Sequence, residues 1–192
     1  AHRLRLDRLL RASTLASDLG GRLASALGLP EPGALVTQCV LSHLGQLATT
    51  VLLAPGMPAW GPHASLLARL QDEQQALGLG SGEVGALLMQ AWGLPAGIVA
   101  EVRDIDRLLV TPAHLVDARQ APRLALCYLA VRAGERLAQG QIAQAADLLL
   151  PPADGAAEDS DFCHLGSYLA LPALARLPQV LQATALPAPE PA

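Results

Sequence analysis

The sequence predicts an all-α fold, a multi-helix bundle, and three observations predict it. Hydrophobic residues make up 52% of the 192 positions while aromatic residues make up only 3%. A core of that composition must be built from Leu, Ala and Val, and the first two are strong helix formers. Apolar residues recur at helical spacing over long segments, and Gly/Pro clusters separate those segments at short intervals.

From Arg3 to Leu27, a stripe of Leu6, Leu9, Leu10, Leu15, Ala16, Leu19, Leu23 and Leu27 predicts a first helix. Arg3, Arg5, Arg8, Arg11 and Arg22 fall mostly off that stripe, and Gly20-Gly21 is a candidate kink. The cluster Gly28-Leu29-Pro30-Glu31-Pro32-Gly33 ends it. Ala34 to Ala54 reads as a second helix, stopped by Pro55-Gly56, and Ala64 to Leu77 as a third after a loop. The fourth follows Gly78-Leu79-Gly80-Ser81-Gly82 and runs to Trp92. Gly93 suits the left-handed residue that closes a helix, and Pro95 suits the first turn of the next, which extends to about Leu109. The large ring of Trp92 is expected to be buried where those two helices meet.

Thr111-Pro112 reads as a helix start, and Ala121-Pro122 opens a longer helix with Leu126, Leu129, Ala130, Ala133 and Leu137 on its apolar side, ended by Gly140. Gln141 to Leu150 is a further helix. Residues 151–161 read as an acidic, mobile loop. Ser167 to Ala185 is a last helical region interrupted at Pro172 and Pro178, and 186–192 is a disordered, Pro-rich tail. This gives a helical domain over 1–150, a C-terminal helical extension packed on it over 151–185, and the tail.

Charge and cysteine usage exclude several classes. The formal net charge is −4 with no basic run, so a nucleic-acid footprint is not expected. All 13 basic residues are Arg and the chain has no Lys or Asn, which reads as coding bias. The longest apolar stretch, Ala34 to Pro55, carries Gln38, His43, Gln46 and several Thr; it reads as a buried helix, and no stretch is expected to reach the roughly 18 to 20 residues of a membrane span. No signal peptide is expected, and the location read is cytoplasmic. Cys39, Cys127 and Cys163 are widely separated and read as small core residues.

The segment Glu83-Val84-Gly85-Ala86-Leu87, followed by Trp92-Gly93-Leu94-Pro95 and an apolar helix, resembles the HDOD domain, the HD-related output domain of bacterial signalling proteins. The resemblance extends from the first helix to about Gly140. It implies the helical HD-phosphohydrolase scaffold, an HD-domain-like bundle, with Glu83, Gly85, Trp92, Leu94 and Pro95 as its structural motif. It also implies where metal ligands would stand. The His-Asp pair of the scaffold falls on Ser42 and His43, within Cys39-Val40-Leu41-Ser42-His43-Leu44-Gly45. The His before the Glu-Val-Gly-Ala motif is Ser81, and a later His pair falls on Ile105-Asp106. An acidic position on the helix near Gly134 reads as Arg132 or a neighbour. The family's usual N-terminal helical half lies before the first helix seen here.

Set against that pattern, Ser42, His43, Ser81, Ile105 and Asp106 read as vestigial positions, with no catalytic residue, metal or cofactor expected. His43 reads as a hydrogen-bonded mid-helix histidine, and Asp104 with Asp106 as a solvated charged face. Glu83 reads as a first-turn acid that complements the helix dipole. Gly78–Gly82 lacks both the strand and the Lys of a phosphate loop. The function read is a non-catalytic signal-transduction module whose partners are other signalling proteins or domains, with a homodimer as one arrangement. The rivals are a residual HD-type phosphohydrolase or phosphate-ligand sensor using His43 and Asp106, and a purely structural helical domain. Leu6, Leu10, Leu169, Leu174 and Leu181 are the contact surface expected, unless the two chain ends cover each other.

Overall fold

A computed structural model describes residues 2–53, 66–149 and 165–182. Among them the regular structure is helical throughout, with no strand. The first six helices are α1 (His2–Leu27), α2 (Pro32–Leu41), α3 (Leu44–Leu52), α4 (Leu66–Leu77), α5 (Ser81–Ala91) and α6 (Ala96–Arg103). Single 3-10 turns at Asp106–Leu109 and Ala113–Leu115 lead into α7 (Ala121–Gln139). A 3-10 segment at Ala145–Leu149 and the helices α8 (Leu165–Tyr168) and α9 (Leu171–Gln182) complete the described chain.

The centre of the bundle is α7, which is buried on nearly every side and packs chiefly along α1, with α2 against both. Leu19, Leu23, Leu35, Leu126, Leu129 and Leu137 are fully or almost fully enclosed there. Each such side chain contributes about 1.5 to 3 kcal/mol by leaving water. A second, smaller core lies between α5 and α6, built from Ala86, Met89, Val99 and Val102 with Leu41, Leu44, Leu94 and Ile98 around it.

Several boundaries differ from the sequence reading, each for a local reason. The helix expected over Ala34–Ala54 is two helices. Ser42 Oγ bonds the Gln38 carbonyl at 2.6 Å, the His43 Nδ1 lies 3.0 Å from the Cys39 carbonyl oxygen, and the His43 N–H turns to the Val40 carbonyl at 3.2 Å. Side chains that bond the preceding turn compete with the regular ladder, and the axis breaks. The helix expected from Pro95 to Leu109 stops at Arg103, because Asp104 leaves the helical region and a 3-10 turn follows. The Thr111-Pro112 start yields only one 3-10 turn, and Gln141–Leu150 shortens to Ala145–Leu149. Gly20-Gly21 lies within the unbroken α1. Pro172 sits in the first turn of α9, and Pro178 lies inside that helix rather than ending it.

The expectation of no span-length apolar stretch is also corrected: the run Pro32–Leu52 is 21 residues long and apolar enough to cross a membrane by length and composition. It nonetheless buries Gln38, His43, Gln46, Thr49 and Thr50 inside the chain, which is the pattern of an interior helix pair. The loop expected at 151–161, the tail at 186–192, Cys163, His63 and His164 lie outside the described residues. α9 packs against α1 and against the 3-10 segment at Ala145–Leu149. That packing corrects the expected contact surface. Leu169 and Leu181 are buried and Leu6 and Leu174 are half-buried, so of the five only Leu10 is exposed.

Candidate functional site

At Gly93 the backbone does what the sequence requires. Its φ is +73°, its N–H donates to the Gln90 carbonyl, and the Leu94 N–H reaches back to the Met89 carbonyl at 3.0 Å. This is the Schellman closure, in which the residue after the left-handed glycine folds onto the helix it ends. Here that residue is Leu94, and it fills the space against Met89 and Val99 that was expected to hold the indole. Trp92 is therefore 61% exposed, contrary to expectation. Pro95 caps α6 from just outside its first turn. Glu83 folds its carboxylate onto the Gly80 N–H at 3.0 Å, half of a capping box whose other half glycine cannot supply.

The five positions read as vestigial, Ser42, His43, Ser81, Ile105 and Asp106, part company. Ser42 turns its hydroxyl to the Gln38 carbonyl and lies 3.9 Å from the Cys127 sulfur. Cys127 and Cys39 are free, buried thiols 3.8 Å apart, and burial pushes the Cys127 thiol well up. Ile105 is 2% exposed and belongs to the apolar core. His43, Ser81 and Asp106 converge on a buried polar cluster that the sequence reading did not foresee.

The centre of that cluster is Arg69 on α4, whose three nitrogens each face a different carboxylate. Nη1 donates to Glu135 Oε1 at 2.6 Å and Nη2 to Asp106 Oδ2 at 3.2 Å, while Nε stands 3.6 Å from Glu73 Oε1. Glu135 projects from α7 and is held further by Arg132 and by Gln46 Nε2 of α3, the latter at 2.6 Å. Glu73 accepts the Ser81 backbone N–H at 2.7 Å, so Ser81 enters the cluster through its main chain. Asp106 points inward to Arg69, which corrects its reading as part of a solvated face; Asp104 keeps the outward role, paired with Arg103 and Arg107. The family's acidic position reads from the sequence at Arg132 or a neighbour; Arg132 pairs with Glu135, one turn further along α7.

The electrostatics follow from burial and pairing. Burial alone would lower the basicity of the Arg69 guanidinium, but Glu135, Asp106 and Glu73 raise it above its ordinary value. Burial alone would raise the Glu135 carboxyl, and Arg69 and Arg132 together hold it far below the usual carboxylate range. His43 is wholly enclosed, and burial lowers its imidazole below the ordinary value against the pull of Glu135. Its Nε2 has no hydrogen-bond partner among the described residues.

An HD-type metal centre needs several imidazole and carboxylate atoms within about 2.0 to 2.2 Å of one ion. The residues here do not fit that requirement: a guanidinium stands among the carboxylates, and Ser42 and Ile105 face elsewhere. Among the described residues no three His, Cys, Asp or Glu side chains are grouped to share an ion. Arg69, Glu73 and Glu135 were missed, although the sequence carries a signal for them. Arg69 and Glu73 are an i, i+4 pair, and Glu135 interrupts the apolar run of α7. A charge on the buried side of a helix requires a buried partner.

A family model, the HDOD domain, matches residues 1–107. The match takes in α1 through α6 and Asp106, and stops short of the Gly140 limit read from the sequence. No curated protein and no solved structure matches the chain.

Proposed function

The chain belongs to the HDOD domain family, and from that premise we propose that it is a non-catalytic regulatory module that passes a signal through protein contacts. HDOD domains are signalling-associated domains related to the HD scaffold. The single observation that carries the non-catalytic reading is Arg69. Hydrolysis on an HD scaffold uses metal-bound water, with one coordination position left open for it. The Arg69 guanidinium takes the space among Glu73, Asp106 and Glu135, and neither Ser42 nor Ile105 contributes a ligand atom there. A role in protein contact draws support from α5, where Leu87 and Trp92 are 55% and 61% exposed. Tryptophan is among the residue types enriched at the anchoring positions of protein interfaces. The free thiols of Cys39 and Cys127 fit a reducing, cytoplasmic compartment. The net charge of −4 fits protein rather than nucleic-acid partners.

The test is direct. The purified chain is incubated with manganese or ferrous iron and a panel of phosphate mono- and diesters, and its own metal content is measured. We expect turnover no greater than the protein-free blank and no stoichiometric metal. Metal-dependent hydrolysis that disappears in both His43→Ala and Asp106→Ala would overturn the proposal in favour of a residual phosphohydrolase.

A further inference from the structure

We infer that Cys39 and Cys127 are a peroxide-sensitive thiol pair, whose two-electron oxidation joins α2 to α7 through a disulfide. The two residues are 88 apart in sequence, yet their sulfurs stand 3.8 Å apart inside the bundle. A disulfide bond is about 2.05 Å long, so the sulfurs must close to little more than half their present separation. Both residues are wholly enclosed. The backbone of α1 passes so near the Cys39 sulfur that a β-carbon on Gly20 would stand 2.8 Å from it, and Ser42 Oγ lies 3.9 Å from the Cys127 sulfur. An oxygen added to either sulfur has little room there, whereas a disulfide sheds two hydrogens and shortens the contact. The closed pocket therefore favours a disulfide over an oxyacid. This chemistry does not depend on whether the module is catalytic.

The closed fold also protects the pair. Burial raises the Cys127 thiol well above its ordinary value, which keeps it protonated and slow to react. Access comes through movement of α2, which has 10 residues against the 19 of α7. Irregular backbone bounds it at both ends. Glu31 before it has a φ of +55°, and the chain breaks direction at Ser42-His43 after it. With α2 lifted, the Cys39 thiolate attacks hydrogen peroxide. The O–O bond breaks, Cys39 becomes a sulfenic acid, and the released hydroxide takes up the proton that the thiol lost. With α2 reseated, the Cys127 sulfur attacks the Cys39 sulfur; the S–O bond breaks and hydroxide leaves with the Cys127 proton. One peroxide is reduced to two waters, and two thiols are oxidised to one disulfide. The new bond would fix a seam that reaches α6. Gln38, next to Cys39, and Arg123, one turn before Cys127, both donate to Glu101 of α6.

The test uses reduced, folded protein carrying Cys163→Ser, which removes the third cysteine of the sequence. It is treated with hydrogen peroxide for hours in the absence of denaturant. Remaining thiols are then alkylated in denaturant, and the chain is weighed and mapped by mass spectrometry without reductant. Both thiols are expected to escape alkylation together, with the mass lower by two hydrogens and one linked peptide pair carrying Cys39 and Cys127. The chain should remain a single chain in mass. Tm should rise by roughly 5 to 15 °C and return to its starting value with dithiothreitol. Adding Cys39→Ser or Cys127→Ser should abolish both the link and the rise. If Cys163→Ser does not fold, the wild type is oxidised and mapped in the same way. Survival of both thiols overturns the inference. So does oxygen added to either sulfur in place of a link, or a link made to Cys163 or between two chains.

Discussion

A β-carbon placed on Gly45 would stand 1.6 Å from the carbonyl oxygen of Ser81 and 2.9 Å from the backbone nitrogen of Gly85. The backbones of α3 and α5 therefore touch at this crossing, and Gly85 of the Glu-Val-Gly-Ala segment faces Gly45 from the other side. Neither atom that a methyl would meet belongs to a flexible side chain, so the helices themselves must separate. Gly45→Ala should cost about 3 kcal/mol or more, at the upper end of overpacking effects. Gly85→Ala, whose new carbon would be 3.1 Å from the Gly45 nitrogen, should cost less. Urea unfolding followed by circular dichroism measures both; a neutral Gly45→Ala would mean that α3 and α5 do not cross so closely.

Glu135→Gln removes the carboxylate that Arg69, Arg132 and Gln46 share, leaving Arg69 short of a buried partner. Breaking a buried pair on one side costs about 3 to 5 kcal/mol at neutral pH. The pH profile should change as well. The folded carboxyl is held far below its ordinary range, so its stabilisation is complete above the unfolded value of about 4.3 and is lost as pH falls below it. The wild type should lose stability steeply in that acid range and the variant should not; parallel acid limbs would argue that Glu135 is not ionised in the fold.

His43 should act in a different window. Burial lowers its folded pKa below the ordinary 6.5, so the unfolded chain takes up the proton first as pH falls. Its contribution is complete above about pH 6.5 and declines below it, by up to about 1.4 kcal/mol per pH unit until the folded value is reached. Stability measured from pH 7.5 to 5 should fall less in His43→Gln than in the wild type. A steeper fall in the variant would contradict the enclosed, neutral imidazole.

Trp92 should behave as a surface residue. In a Trp60→Phe background its emission should lie near that of a hydrated indole and be quenched freely by acrylamide. Trp92→Ala should change stability by no more than about 0.5 kcal/mol, as is usual for exposed positions. A blue-shifted, protected emission would place the ring back in the core.

The sequence by itself determined where most helices lie, because helices are closed by bonds between neighbours a few residues apart. The apolar period of α1, the Gly93 stop and the glycine that ends α7 are local features, and each stands where local reasoning puts it. The family was legible for a related reason, since the Glu-Val-Gly-Ala and Trp-Gly-Leu-Pro segments are contiguous and fall within the matched residues. Tertiary structure alone decided the rest. Whether Leu94 or Trp92 covered Met89 depended on which side chain the left-handed glycine aimed at α6. The break at Ser42-His43 followed from side chains that found partners on the preceding turn. Above all, the pairing of Arg69 with Glu135, Asp106 and Glu73 joins segments up to 66 residues apart. No periodicity in one segment encodes the charge that another will bring to it; that is fixed when helices pack and buried charges must find each other.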